Sequence, residues 1–166
     1  MMRFQVRVVV LLASIVVAIA SAATPQTEKP SIEIMAFEAQ KGVDFPPDYQ
    51  AALFEELVTR LTETGKFAQV LKEGEKAPDG KAATLRLTGI VTEVDEGSRA
   101  ARSLVGFGAG KAKIRAHVKF LDVATGAVKL EKDVYGRKIG GGIGGAGINC
   151  TRGLAREVAK LAKEKL

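Results

Sequence analysis

The sequence predicts a two-layer α+β sandwich: one mixed, mostly antiparallel sheet of four to five strands, with two helices on one face. Three observations predict it. Asp48–Thr64 and Asn149–Lys165 repeat apolar residues at helical spacing. Residues 111–123 alternate apolar Ile114, Ala116, Val118 and Phe120 with Lys113, Arg115, His117 and Lys119, the pattern of a strand with one buried face. The order strand, helix, strands, helix lets both helices cover the apolar side of a single sheet.

The elements follow in chain order. Ser31–Glu38 alternates through Ile32 and Ile34 and reads as the first strand. Val43–Pro47 is a turn, and its prolines suit the entrance of the helix that follows, where Asp48 caps or charges the first turn. Leu53, Phe54, Leu57, Val58 and Leu61 form that helix's stripe, and Gly65 is its stop. Phe67–Leu71 is a short second strand, and the glycine, proline and charge of Gly74–Lys81 mark a loop. Thr84–Val94 is the third strand. The first strand–helix–strand unit is expected to be parallel. Lys111–Val123 and Val128–Tyr135 are strands four and five, joined by a tight hairpin at Thr125-Gly126. In the last helix Asn149 or Thr151 is the expected cap, Leu154, Val158 and Leu161 form the stripe, and Lys160, Lys163 and Lys165 gather at the negative end.

The N-terminus reads as an export signal. Arg3 and Arg7 precede an uncharged apolar run of 13 residues, Val8–Ala20, and Ala20-Ser21-Ala22 supplies a small-x-small cleavage pattern. The run is shorter than the ~20 residues of an ordinary membrane span. The expected organisation is a signal peptide at 1–22, a tether at 23–30 and one domain at 31–166. Cleavage lowers the formal charge from +6 to +4 and leaves 144 residues. No cysteine stands directly after the apolar run, and Cys150 lies far too late to serve, so the exported protein is expected in the periplasm or cell envelope without a lipid anchor.

Composition removes several function classes. Hydrophobic residues at 46% and charged residues at 27% exclude a disordered or collagen-like chain. Aromatics at 5% with no Trp argue against a stacking platform for single-stranded nucleic acid or sugars. One His and one Cys exclude a Cys/His zinc site and an internal disulfide. No cofactor, metal or nucleic acid is expected. A basic exported chain points instead to an envelope protein, its own copies, or an anionic lipid or glycan.

Two glycine-rich segments exceed what a turn needs. Gly97–Gly110 carries Arg99 and Arg102 at one end and Gly106, Phe107, Gly108 and Gly110 at the other, followed by Lys111. With Lys113, Arg115 and Lys119 these residues are candidates for contact with a partner or an anion. Ile139–Gly147 contains Gly140, Gly142 and Gly145, which satisfy the spacing GxGxxG ahead of a helix, where free amides attract anions. No strand follows that helix and no ribose-binding acid lies about twenty residues on, which argues against dinucleotide binding. The binding of an anionic small ligand or glycan at those glycines remains the alternative function. Gly106–Lys111 is one residue short of a phosphate loop, and Ala112 replaces the magnesium-binding hydroxyl.

No catalytic constellation is visible, so a non-enzymatic role is expected and a hydrolase ranks last. His117 lies in phase with three cations, which are expected to depress its pKa, and no nucleophile or acid is visibly placed beside it. Glu131 and Asp133 share a face, with Lys129 and Lys132 as their expected surface partners. Cys150 reads as a small buried hydrophobe.

Arg99-x-x-Arg102, the block Leu104–Ala112, Asp122-x-x-Thr125-Gly126 and the glycines of 140–147 ahead of a terminal helix together resemble the bacterial family catalogued as domain of unknown function 4410. The resemblance runs from about Ile32 to Leu166. It implies an exported or lipid-anchored envelope protein and supplies no catalytic residues. The element order is more remotely similar to the curli secretion lipoprotein and the TolB N-terminal domain, modules that assemble or dock in the envelope. These lines together predict an envelope binding or assembly module acting through its glycine-rich loops and a basic sheet face.

Overall fold

The computed structural model describes residues 29–78, 80–95, 112–137 and 146–166. The elements are β1 Ser31–Ile34, β2 Glu38–Ala39, α1 Pro47–Glu63, β3 Gln69–Lys72, β4 Leu85–Asp95, β5 Lys113–Asp122, β6 Val128–Arg137 and α2 Ala146–Lys165. The expected signal peptide at 1–22 and most of the expected tether at 23–30 lie outside the described residues. Among the described residues, no helix is long and apolar enough to cross a membrane.

The sheet runs β3-β1-β4-β5-β6, with β2 also paired to β4. It is mixed: β1 lies parallel to both β3 and β4, whereas β4–β5 and β5–β6 are antiparallel. Both helices pack on one face, α1 against β1 and β3, α2 against β5 and β6, and each against the other. Between the layers lie Ile32, Ile34, Leu53, Leu57, Leu61, Leu87, Ile114, Val118, Phe120, Leu154 and Val158, all almost without solvent exposure.

The predicted first strand breaks in two. β1 ends at Ile34, and the chain rejoins β4 only at Glu38–Ala39. Phe37 is the cause: its ring turns into the core over Gly89 of β4, where a Cβ would overlap it. The backbone stays beside β4 through the break, with Met35 N donating to Leu87 O and Gln40 N to Val91 O, each at 2.9 Å.

At the helix ends, Pro46 is the residue before α1 and offers no side-chain cap, while Asp48 adds negative charge to the first turn. Gly65, at φ +64°, terminates the helix in the left-handed region. α2 begins three residues earlier than expected. Asn149 and Thr151 are therefore not caps: they are buried inside the first turns, and Thr151 Oγ1 donates to Ile148 O at 2.7 Å. Cys150 is also buried there, as a small hydrophobe would be.

α2 can approach β6 because two glycines meet. A Cβ on Gly136 would overlap the Cys150 carbonyl and Leu154, and one on Gly153 would overlap the Arg137 carbonyl. Strand backbone and helix backbone thus touch directly at this point.

Candidate functional site

Among the described residues, no element covers the face of the sheet turned away from the helices, and β5 runs through its middle. Because side chains alternate, burying Ile114, Ala116, Val118 and Phe120 sends Lys113, Arg115, His117 and Lys119 outward. The hairpin sets their neighbours. Asp122 Oδ1 accepts from Thr125 N at 3.0 Å and Thr125 Oγ1 at 2.9 Å, and Gly126 takes φ +70°. Those Thr125 bonds hold the Asp122 carboxyl below its ordinary range. From this turn, β6 places Glu131 opposite Lys119, Asp133 opposite His117, Tyr135 opposite Arg115 and Arg137 opposite Lys113. On the other side β4 places Thr88, Ile90, Glu93 and Asp95 beside the same four residues, across a bulge between Val91 and Glu93.

The result is a face of mixed charge, not the basic one expected. Lys113 Nζ lies 2.6 Å from Glu93 Oε1, and Arg115 Nη2 lies 3.6 Å from Glu93 Oε2. The Arg115 guanidinium also sits 4.6 Å from the centre of the Tyr135 ring. Lys119 Nζ reaches Glu131 Oε1 at 3.0 Å. Nearer the parallel half, Arg86 Nη2 pairs with Glu33 Oε2 at 2.9 Å.

His117 is at the centre of this ladder. Its Nδ1 lies 2.7 Å from Asp133 Oδ1 and its Nε2 lies 2.6 Å from Glu131 Oε1. The expected depression of its pKa is reversed. The bond to Asp133, then that to Glu131, favours the protonated ring and raises it. Glu131 is lowered in turn, first by Lys119 and then by His117. The expected partners of the two carboxylates are also corrected. Glu131 and Asp133 bond across the strands to β5, while Lys129 turns to Asp122 Oδ2 at 3.4 Å. An imidazolium bonded at both nitrogens has neither position open to accept a proton. Ile90 and Tyr135 are exposed large apolar groups on this face.

Of the predicted contact residues, the structure brings Lys113, Arg115 and Lys119 together on this face. Arg99, Arg102, Gly106, Phe107, Gly108, Gly110 and Lys111 lie outside the described residues, as do Gly140, Gly142 and Gly145. Among the described residues, no cluster of three or more His, Cys, Asp or Glu is arranged to hold a metal ion.

One further concavity escapes a linear reading. A crevice of about 510 Å³ opens beside the first half of α1, floored by Phe37, Leu53, Phe54 and Leu57. Lys72 crosses its rim, 3.0 Å from Glu55 Oε1 and 5.8 Å from the centre of the Phe54 ring. Its lining comes from three separated segments, so no local motif announces it.

Comparison with known proteins agrees with this architecture. A PelC dodecamer from Paraburkholderia phytofirmans has a similar fold at a TM-score of 0.51 and 17% identity, covering 78% of this chain and 86% of that one. A Xanthomonas campestris protein of the DUF330 family matches at 0.56 and 15% identity, covering 85% and 89%. A hypothetical protein from Chlamydia trachomatis matches at 0.56 and 12% identity, covering 82% and 97%. No curated protein matches the chain. The family described as "Domain of unknown function (DUF4410)" matches residues 18–153, and on that match, which spans most of the sequence, the chain belongs to the DUF4410 family.

Proposed function

We propose that this protein is an exported component of the cell envelope that acts by contact with macromolecules and not by turnover: a binding or assembly module. The observation that carries this is the open face of the sheet. Its ionic residues are held in a fixed cross-strand ladder, and Ile90 and Tyr135 stand exposed among them. A rigid surface of alternating charge with apolar groups between fits recognition of a complementary surface. His117, bonded at both nitrogens, fits a structural part in that ladder better than proton transfer. The export signal at 1–22 supports the compartment, and the PelC structure of similar fold is a dodecamer. Arg99 and Arg102, with the glycines that follow, complete the proposed contact surface.

The test is charge reversal. Arg99→Glu with Arg102→Glu, introduced together in the exported chain, is expected to abolish association with its own copies or with an envelope component. The thermal midpoint is expected to stay within about 2 °C of the parent, so that lost association is distinguished from lost folding. Association that survives the reversal removes the arginine segment from the surface. A chain that neither self-associates nor retains an envelope component overturns the proposal.

A further inference from the structure

The two ends of the sheet are unequal. β3 closes one end with four residues, whereas β6 closes the other with ten. Among the described residues β6 pairs with β5 alone, so its outer backbone edge has no strand beside it. A long regular edge is a template for another strand unless something blunts it. β6 carries no proline and no bulge in its second half.

Its side chains are also incomplete in a patterned way. Lys113, Arg115, Lys119, Lys129 and Arg86 each have a carboxylate partner, but Arg137 has none among the described residues. Glu131 uses only Oε1 for both of its bonds, and Asp133 uses only Oδ1. Among the described residues, β6 therefore presents on its open face one cation, Arg137, without a carboxylate partner, and carboxylate oxygens with bonding capacity to spare.

We infer that a second copy of this chain adds its β6 antiparallel to this β6, about a two-fold axis through Val134; this deepens the assembly reading above and rests on it. The register follows from charge. With Val134 opposite itself, Arg137 of each copy meets Glu131 of the other, and Asp133 meets Tyr135. Shifting the axis to Asp133 sets that carboxylate against its own copy and Lys129 against Arg137. Shifting it to Lys132 sets Glu131 against Asp133. Like charges directly opposite are destabilising. An axis at Tyr135 is compatible in charge but engages only residues 133–137, against 131–137 for the axis at Val134. The pairing is isologous, so it closes at two copies and joins the sheets across the axis. Beneath this edge, a groove of about 220 Å³ between β6 and α2 has Val134 and Leu161 in its floor and Glu157, Lys160 and Glu164 along its rim. Both signs of charge line it, as a surface meeting its own rotated copy requires.

The experiment separates this pairing from association in general. Light scattering on the full exported chain is expected to show a dimer or a multiple of it. Glu131→Arg and Arg137→Glu, made in separate chains, each set like charges across the axis and should lower the mass when measured alone. Mixed in equal amounts, they oppose unlike charges at both contacts and should restore the parent mass. Val134→Cys in a Cys150→Ala background should form a covalent dimer on mild oxidation, and Tyr135→Cys should not. Parent mass retained by both single variants overturns the inference, as does a parent chain that is monomeric. Cross-linking through position 135 in place of 134 overturns the register. If the chain associates but the mixing experiment fails, the β6 interface falls while the broader assembly proposal stands on its charge-reversal test.

Discussion

The two faces of β5 are made by the same ten residues and obey different rules. On the helix side, Ile114, Ala116, Val118 and Phe120 are fully buried. On the other side, Lys113, Arg115, His117 and Lys119 are half-buried and tied into a ladder of ion pairs. The buried face stabilises by removing apolar area from water, roughly 25 cal/mol per Å². The open face gains little net energy from each pair, about 0–1 kcal/mol, because water competes for every charge. Stability is therefore concentrated on one side of the strand, while the other is left able to present a specific pattern.

Adjacent residues can expose that division. Phe120→Ala should cost about 3–5 kcal/mol in urea unfolding, the ordinary loss for a buried aromatic. Lys119→Ala, one residue away on the other face, should cost about 0–1 kcal/mol. Comparable losses at the two positions would mean that the open face is as structural as the core. Next in size is Gly153→Ala. A methyl there meets the Arg137 carbonyl at the buried contact with β6, so a loss of about 1–3 kcal/mol is expected. An unchanged midpoint would show that α2 and β6 can separate freely.

The smallest effect is a pH dependence. His117 has a folded pKa above its ordinary value of 6.5, so the stability it contributes is fully present below that value. It is lost as pH rises through the folded value. The stability difference between the parent and His117→Gln should be largest near pH 5–6.5, above the ordinary carboxylate range. It should shrink toward pH 9. At acid pH it should shrink again as Glu131, whose carboxyl is held below its ordinary range by Lys119 and His117, takes up its proton. A difference that is flat with pH would mean that the two carboxylate bonds do not persist in solution.

Much of this fold can be read from residue spacing. The stripes of both helices and the alternation of β5 are periodic signals, and periodicity survives without knowledge of neighbours. The ladder was also within reach: with the turn centred on Thr125, counting outward opposes Lys119 to Glu131 and His117 to Asp133. The cations of its own strand lie two residues from His117, whereas the carboxylates directly across from it on β6 decide the sign of its shift. The break between β1 and β2 is a different matter. It depends on Phe37 finding space over Gly89, more than fifty residues later, and no local pattern encodes that pairing. The contact of Gly136 with α2 is equally non-local.

That last contact has a consequence for how the molecule tolerates change. Arg137 ends β6 and Gly153 lies in the early turns of α2, and their backbones touch. The chain therefore leaves the sheet and returns to the helix layer at a single fixed place, whatever lies between. Closing a longer connection costs little, about 0.6 kcal/mol for each doubling of length. The fold works as a socket at this point, able to accept segments of different length and composition while the layers beneath keep their register.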